Sequence, residues 1–386
     1  MRLVIDIRHL TKQNPSGVGQ YTLELLKALF VLDQTNEYIL FSSGAKRAYQ
    51  NLPDFNLPNV KKLHLNLPNR LLNLMLLTNG RPKFDELIKE KFGPAEKTLF
   101  FFPNLNIISL SPGTPYILTL HDLSFEIFPK LYNRKDRLWH YFTRAPELAQ
   151  NAQTIIVPSQ AAAHDVNKIF NVPTEKIVVI PHGLNENFSA KIQPQDFGIK
   201  SRYRLPKKFA LFVGTLEPRK NLSAAITGLI KYRQKTKDDL RLILVGRETK
   251  YWQKIYTSLS EEEKQFIQPL GYVRDQDRPA LYRLAAVTLF PSLYEGFGLP
   301  IIESMTCGTP VITSRTSSMP EVGGPAAIYI NPYNSNEIAE ALCELLSSEG
   351  LQKQKITAGL EQVKKYSWAL AAEKTLGVLQ SSDPHP

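Results

Sequence analysis

Two glutamates eight residues apart give this 386-residue chain its most specific chemical signal. Glu295 sits in a glycine-containing turn after the apolar run ending at Phe290, and Glu303 lies inside the helical pattern that follows. A carboxylate accepts hydrogen bonds from hydroxyls, so Glu295 can hold a sugar and Glu303 a ribose diol. The intervening amides of Gly296, Phe297, Gly298 and Leu299 can bind phosphate where the helix begins. The plain alternative for Glu303 is a solvated acid in a first helical turn.

Arg219 and Lys220 follow the apolar run Phe209–Val213 and Thr215, at the start of another helical pattern. Positive charge there opposes the helix dipole, a penalty that makes sense if the two cations neutralise a diphosphate. His121 and Asp122 end a third apolar run, which places them at the carboxyl edge of a sheet, where ligands bind. Asn14 to Gln20 forms a loop whose Gly17 and Gly19 let backbone amides approach a phosphate. It lacks the third glycine of a dinucleotide fingerprint and the Gly-Lys-Ser/Thr ending of a P-loop, which argues against NAD enzymes and NTPases. Asp275 and Asp277 match a D-x-D metal pattern, but the helical residues that follow make an N-cap with a first-turn acid the simpler expectation. No metal site is expected, and Cys307 and Cys343 read as buried thiols.

The elements that would position these groups alternate strand and helix almost end to end, the signature of parallel sheets covered by helices. Strands are expected near 2–7, 37–42, 60–65, 98–103, 115–121, 153–158 and 176–180, with helices near 18–31, 134–150 and 159–170. A second series begins at Lys208 and continues through Leu240–Gly246, Ala286–Phe290, Pro310–Thr313 and Ala326–Ile330. The expected organisation is a domain at 1–190, a polar linker at 191–207, a second domain at 208–365, and a closing helix at 366–381. Composition is that of an ordinary globular protein, 43% hydrophobic and 22% charged. The net charge of +11 suits anionic partners such as phosphates or an acidic membrane surface. It is spread over both halves without a recognised nucleic-acid module, so no nucleic-acid partner is expected. The N-terminal run reads as a buried strand rather than a signal peptide, and the expected location is cytoplasmic.

These motifs resemble the family 4 glycosyltransferases of the GT-B fold over essentially the full length. Glu295 to Glu303 resembles the family's E-x7-E motif, and Gly17 and Gly19 resemble its first glycine loop. His121 matches its donor-site histidine, Ile180 to Gly183 its Pro-Asn-Gly turn, and Tyr366-Ser367-Trp368 the opening of its closing helix. The resemblance implies an α/β protein with two Rossmann-like domains facing each other across a cleft, and a last helix crossing back to the first domain. It implies a retaining transfer without a metal ion, with the donor on the second domain and the acceptor on the first. Lys220 and Arg219 would neutralise the donor diphosphate, Glu295 and the amides of Gly296 to Leu299 would hold sugar and phosphate, and Glu303 would bind the ribose. His121 would face the transferred sugar, and the backbone around Val273 would lie by the base. Two departures stand out: Thr215 occupies a position where the family often has Arg, and Asn221 one where Gly is common.

The Thr215 to Asn221 variant resembles the family's mannosyltransferases, so GDP-mannose is the first expected donor and a UDP-sugar the second. No other cofactor is implied. A glycan or lipid-linked acceptor, as in polysaccharide biosynthesis, is expected. The leucine-rich run 71–77 and the basic-aromatic stretch 130–141 offer two surfaces for peripheral contact with an anionic membrane, with core burial of the leucines the alternative. The competing functions are a nucleotide-sugar epimerase or a phosphorylase on the same architecture, and a non-catalytic sugar-nucleotide binding protein.

Overall fold

The computed structural model describes residues 1–11 and 17–381, and the chain divides into two compact units: Met1–Gly183 with Ser367–Pro386, and Leu184–Tyr366. In the first, strands β1 (Arg2–Asp6), β2 (Glu37–Ser43), β3 (Val60–Leu65), β4 (Thr98–Phe102), β5 (Tyr116–Thr119), β6 (Thr154–Val157) and β7 (Ile177–Val179) form one parallel sheet in the order β3-β2-β1-β4-β5-β6-β7. Central strands such as β1 and β5 are buried along their whole length, because helices cover both faces. Strand order reverses between β1 and β4, which opens a crevice at their carboxyl ends.

The helix Gly17–Leu32 turns Tyr21, Leu25, Leu26, Leu29 and Phe30 onto one face of this sheet. Ala371, Ala372, Val378 and Leu379 of the last helix, Trp368–Ser381, complete the same core, so the chain's end returns to the unit that holds its beginning. Alanines at the contact let the two helices approach closely.

The single helix expected at 134–150 is two, Arg134–Thr143 and Ala145–Asn151, separated by Arg144 at φ 51°. Pro146 explains the break, since it cannot donate to a preceding carbonyl and its ring crowds that turn. The leucine-rich run lies in the helix Asn69–Asn79, which buries Leu72 and Leu76 while Leu71, Leu74 and Leu77 stay exposed. Core burial therefore accounts for Leu72 and Leu76 and leaves the other three on the surface.

The second unit repeats the design with β8 (Phe209–Val213), β9 (Arg241–Val245), β10 (Ile267–Gly271), β11 (Val287–Phe290), β12 (Val311–Ser314) and β13 (Ile328–Ile330), all parallel in the order β10-β9-β8-β11-β12-β13. Its order reverses between β8 and β11. β8 and β9 both end in Val-Gly, and a Cβ on Gly246 would sit 1.9 Å from the Gly214 carbonyl oxygen, so only glycine permits this approach.

The segment 191–207, expected as a linker, instead carries the helix Pro194–Arg202 inside the second unit. Asp196 pairs with Arg283 at 2.7 Å and both are buried, while Ile199 joins the core. The division falls earlier, after Gly183. Hydropathy periodicity missed this helix because its anchor is an ion pair rather than an apolar stripe.

Candidate active site

The reversal between β8 and β11 brings the loops after both strands together. The chain leaves β8 through Gly214 at φ 144°, and the Lys220 side chain packs on this glycine, its Cε 3.5 Å from where a Cβ would stand. Pro218–Lys220 forms a single 3-10 turn that ends at Asn221 in the left-handed region, φ 56°. Asparagine tolerates that conformation almost as glycine does, which accounts for its presence there. Its Nδ2 donates to the carbonyls of Pro291, at 3.1 Å, and Pro332, at 2.6 Å, and the Leu293 amide donates to the Arg219 carbonyl at 2.9 Å.

This lacing brings three of the singled-out side chains together. Lys220 Nζ donates to Glu295 Oε1 at 2.6 Å, and Arg219 Nη1 donates to Glu295 Oε2 at 2.8 Å and to the Tyr294 carbonyl at 2.7 Å. Arg219 Nη2 also reaches Glu217 at 3.1 Å. Burial pushes the Glu295 carboxyl up, but Arg219 and Lys220 more than reverse this and hold it at about 2. Glu295 is therefore an anion at any ordinary pH, and the three side chains carry one net positive charge.

Beyond Glu295 the turn is fixed from the next loop. Ser318 Oγ lies 2.9 Å from the Glu295 carbonyl and 2.8 Å from that of Phe297, and Ser317 Oγ donates to the Glu295 carbonyl. In a trans peptide the following N–H points opposite to the carbonyl, so the amides of Gly296 and Gly298 face away from the serines. Gly298, at φ 107°, caps the helix Leu299–Thr306, with Leu299 opening it and Pro300 in its first turn. An anion at this helix start would meet amides and the positive end of the dipole.

Glu303 is buried in that helix. Its Oε1 lies 3.0 Å from Arg278 Nη2, and its Oε2 accepts from the Tyr282 hydroxyl at 2.8 Å. Arg278 and Tyr282 stand four residues apart on one face of the helix Arg278–Leu284. Thr215 follows Gly214 directly, its carbonyl accepting from the Glu217 amide. Val273 is a buried core residue beside the exposed Tyr272.

Asp277 holds the expected N-cap position, but its side chain makes no cap. It is taken instead by Arg274 Nε at 2.9 Å, the Tyr203 hydroxyl at 2.8 Å and Arg202 at 3.1 Å. Asp275 faces Arg278 at 3.4 Å.

In the first unit, His121 follows β5 and is partly buried. Its Nε2 is 2.9 Å from the Pro103 carbonyl, which can only accept, so Nε2 carries the proton. Burial lowers the His121 pKa, and in the neutral ring Nδ1 is then an acceptor for a hydroxyl. The Tyr21 ring meets His121 edge-on at 4.6 Å and His182 at 4.7 Å, and His182 stacks on Trp368 at 6.3 Å. Gly17 and Gly19, expected in a loop, form the first turn of the helix Gly17–Leu32. A helix start supplies the same unpaired amides as a loop, which is why the glycine spacing misled about its form. Asn14, Pro15 and Ser16 lie outside the described residues.

The description "Glycosyltransferase Family 4" matches residues 15–188, and "Glycosyl transferases group 1" matches residues 197–362. The chain belongs to this glycosyltransferase family. It is 27% identical over 370 residues to O-antigen chain mannosyltransferase B of Escherichia coli, spanning 94% of this chain and 95% of that one. Among solved structures it resembles sucrose-phosphate synthase of Thermosynechococcus elongatus, with a TM-score of 0.75 and 18% identity over 99% of this chain and 98% of that chain. It also resembles Anabaena Alr3699/HepE in complex with UDP and glucose, with a TM-score of 0.74 and 17% identity over 99% and 100% of the two chains. The two parallel-sheet units of this glycosyltransferase are those of the GT-B fold.

Sequence reading singled out Arg219, Lys220 and Glu295, which this glycosyltransferase holds as one cluster, and Glu303, which has partners of its own. It passed over Arg278 and Tyr282, whose only sequence signal is an arginine in a first helical turn with a tyrosine four residues on. It also passed over Tyr21 and Ser318, which read as ordinary core and loop residues.

Proposed function

We propose that this glycosyltransferase is a retaining, metal-independent hexosyltransferase that moves mannose from GDP-mannose to a glycan or lipid-linked acceptor. The observation that carries this reading is the Arg219–Glu295–Lys220 cluster at the β8/β11 reversal, its carboxylate buried and its cations partly so, beside a helix start. Departure of a nucleoside diphosphate builds negative charge, and preorganised cations and amides stabilise it without a metal. The second unit is the donor side in this account, and the first, with His121 Nδ1 available to accept from a sugar hydroxyl, is the acceptor side.

A double displacement needs a carboxylate nucleophile. Glu295 is a poor one, since both oxygens are engaged by cations that also hold its pKa at about 2. This favours front-face attack, in which the acceptor hydroxyl adds to the same face of the anomeric carbon that the diphosphate leaves. The leaving phosphate oxygen takes the acceptor's proton.

Mannose as the sugar is supported by the likeness to an O-antigen chain mannosyltransferase. A UDP-sugar is the second reading, favoured by the structural likeness to a protein solved with UDP and glucose. For the acceptor, the helix Arg134–Thr143 exposes Leu138, Tyr141 and Phe142 beside Arg134, Lys135 and Arg137. Aromatic and basic groups so combined fit an anionic membrane face carrying a lipid-linked acceptor, with the protein peripheral at the cytoplasmic side. Among the described residues, no helix is long and apolar enough to cross a membrane.

The test is release of GDP from GDP-mannose, with UDP-sugars in parallel, with and without an acceptor glycan and in excess EDTA. Acceptor-dependent release that survives EDTA is expected. Acceptor-independent sugar isomerisation points to an epimerase, binding without turnover to a non-catalytic protein, and magnesium-restorable activity contradicts the metal-free mechanism.

A further inference from the structure

The two oxygens of Glu303 are held by residues one turn apart on one short helix, Oε1 by Arg278 at 3.0 Å and Oε2 by the Tyr282 hydroxyl at 2.8 Å. Each carboxylate oxygen accepts about two hydrogen bonds, so one acceptor position remains on each. What is left is a pair of parallel acceptors, side by side, with the carboxylate plane fixed. That is the complement of two adjacent hydroxyls. Arg278 also cancels the charge of Glu303, so the acceptors can lie near a diphosphate without net repulsion.

A purely structural ion pair between the two helices is the competing account. Arg278 occupies the first turn of its helix, where a cation opposes the dipole, and the Asp277 side chain before it gives no cap. Its guanidinium lies over the Phe188 ring at 5.5 Å, a cation–π contact that packing alone would not need. The tyrosine hydroxyl likewise adds nothing to packing that a phenylalanine would not supply. Both polar groups are explained by what they do to Glu303.

We propose that Arg278 and Tyr282 are positioning residues that make Glu303 a receptor for a vicinal cis-diol, and so make the site selective for ribose over dideoxyribose nucleotides. This rests on the reading of Glu303 as the ribose contact. A nucleotide lacking both hydroxyls leaves the two acceptors unsatisfied, at a loss of roughly a hundredfold in affinity.

The experiment is calorimetric titration of the intact chain with GDP, and with UDP in parallel, each beside its 2′,3′-dideoxy analogue. The proteins are wild type, Tyr282→Phe, Arg278→Met and Glu303→Gln, each with its melting temperature recorded. Wild type should prefer the ribonucleotide by roughly a hundredfold. Tyr282→Phe should shrink that ratio to less than about tenfold and leave affinity for the dideoxy analogue unchanged, and Arg278→Met should shrink it as far while also weakening the dideoxy analogue, because the Glu303 charge then faces the diphosphate uncancelled. A wild-type ratio in both, with collapse only in Glu303→Gln, overturns the proposal and leaves the ribose reading intact. No preference in wild type, no effect of Glu303→Gln, or no binding of either ribonucleotide overturns the ribose reading and the proposal with it. Should Arg278→Met fail to fold, Tyr282→Phe, which removes one hydroxyl, decides the matter alone.

Discussion

Lys220 Nζ donates to Glu295 Oε1 across 2.6 Å, joining the loop after β8 to the loop after β11. The same carboxylate takes Arg219 at 2.8 Å, so two cations that would serve a diphosphate are parked on an anion that would serve a sugar. Glu295 thereby fixes the cations' positions and lowers the charge they offer.

Replacing Glu295 by Gln should uncouple these roles. The cluster's net charge rises by one, so free nucleoside diphosphate should bind about tenfold more tightly, while turnover of the full donor falls. Calorimetry and steady-state rates on the same preparation check this. Weaker nucleotide binding in Glu295→Gln would show that Glu295 chiefly orients the cations.

Acid should weaken the fold in two windows. Burial, and then the neighbouring His121, lowers the His182 pKa well below 6.5, and burial also lowers that of His121. The unfolded chain then binds more protons, so stability is full above about pH 6.5 and falls below it. Glu295, depressed from 4.5 to about 2, adds a further loss as pH falls through that interval. Urea midpoints between pH 8 and pH 5 should decline less steeply in His182→Gln, where Tyr21, His121 and Trp368 face a group that does not titrate. Identical slopes in the two proteins would count against the buried neutral histidine.

The proposed membrane contact through the helix Arg134–Thr143 has a direct readout. Tyr141 and Phe142 are exposed by 76% and 40%, so changing both to Ser should leave the melting temperature within about a degree and weaken binding to anionic vesicles roughly tenfold. Undiminished vesicle binding would move the contact to another surface, with the exposed leucines of Asn69–Asn79 next in line.

All strands but β10 could be read from the sequence because buried parallel strands are short apolar runs bounded by turns, as Phe209–Val213 and Leu242–Val245 show, whereas β10 is a half-buried edge strand carrying Gln268 and Pro269. Arg219, Lys220 and Glu295 were visible because each breaks a local rule, as a cation at a helix start or an acid in a glycine turn. Their mutual pairing was hidden, since 75 residues separate Lys220 from Glu295 and only the β8/β11 reversal brings them together. Arg278, Tyr282 and the helix Pro194–Arg202 escaped notice for another reason. Their partners, Glu303 and Arg283, are charges from elsewhere in the chain, and charge pairing leaves no periodic trace.

Arg219 and Lys220 are proposed to take up charge as the diphosphate departs, and Lys220→Met removes one of those two charges. The variant keeps the stem that packs on Gly214 and leaves Arg219 on Glu295, so the chain should fold as before. Turnover of the nucleotide-sugar donor under saturating conditions should fall about a hundredfold or more, with a smaller change in ground-state nucleotide affinity. Folded Lys220→Met turning over at a near-normal rate would contradict the claim.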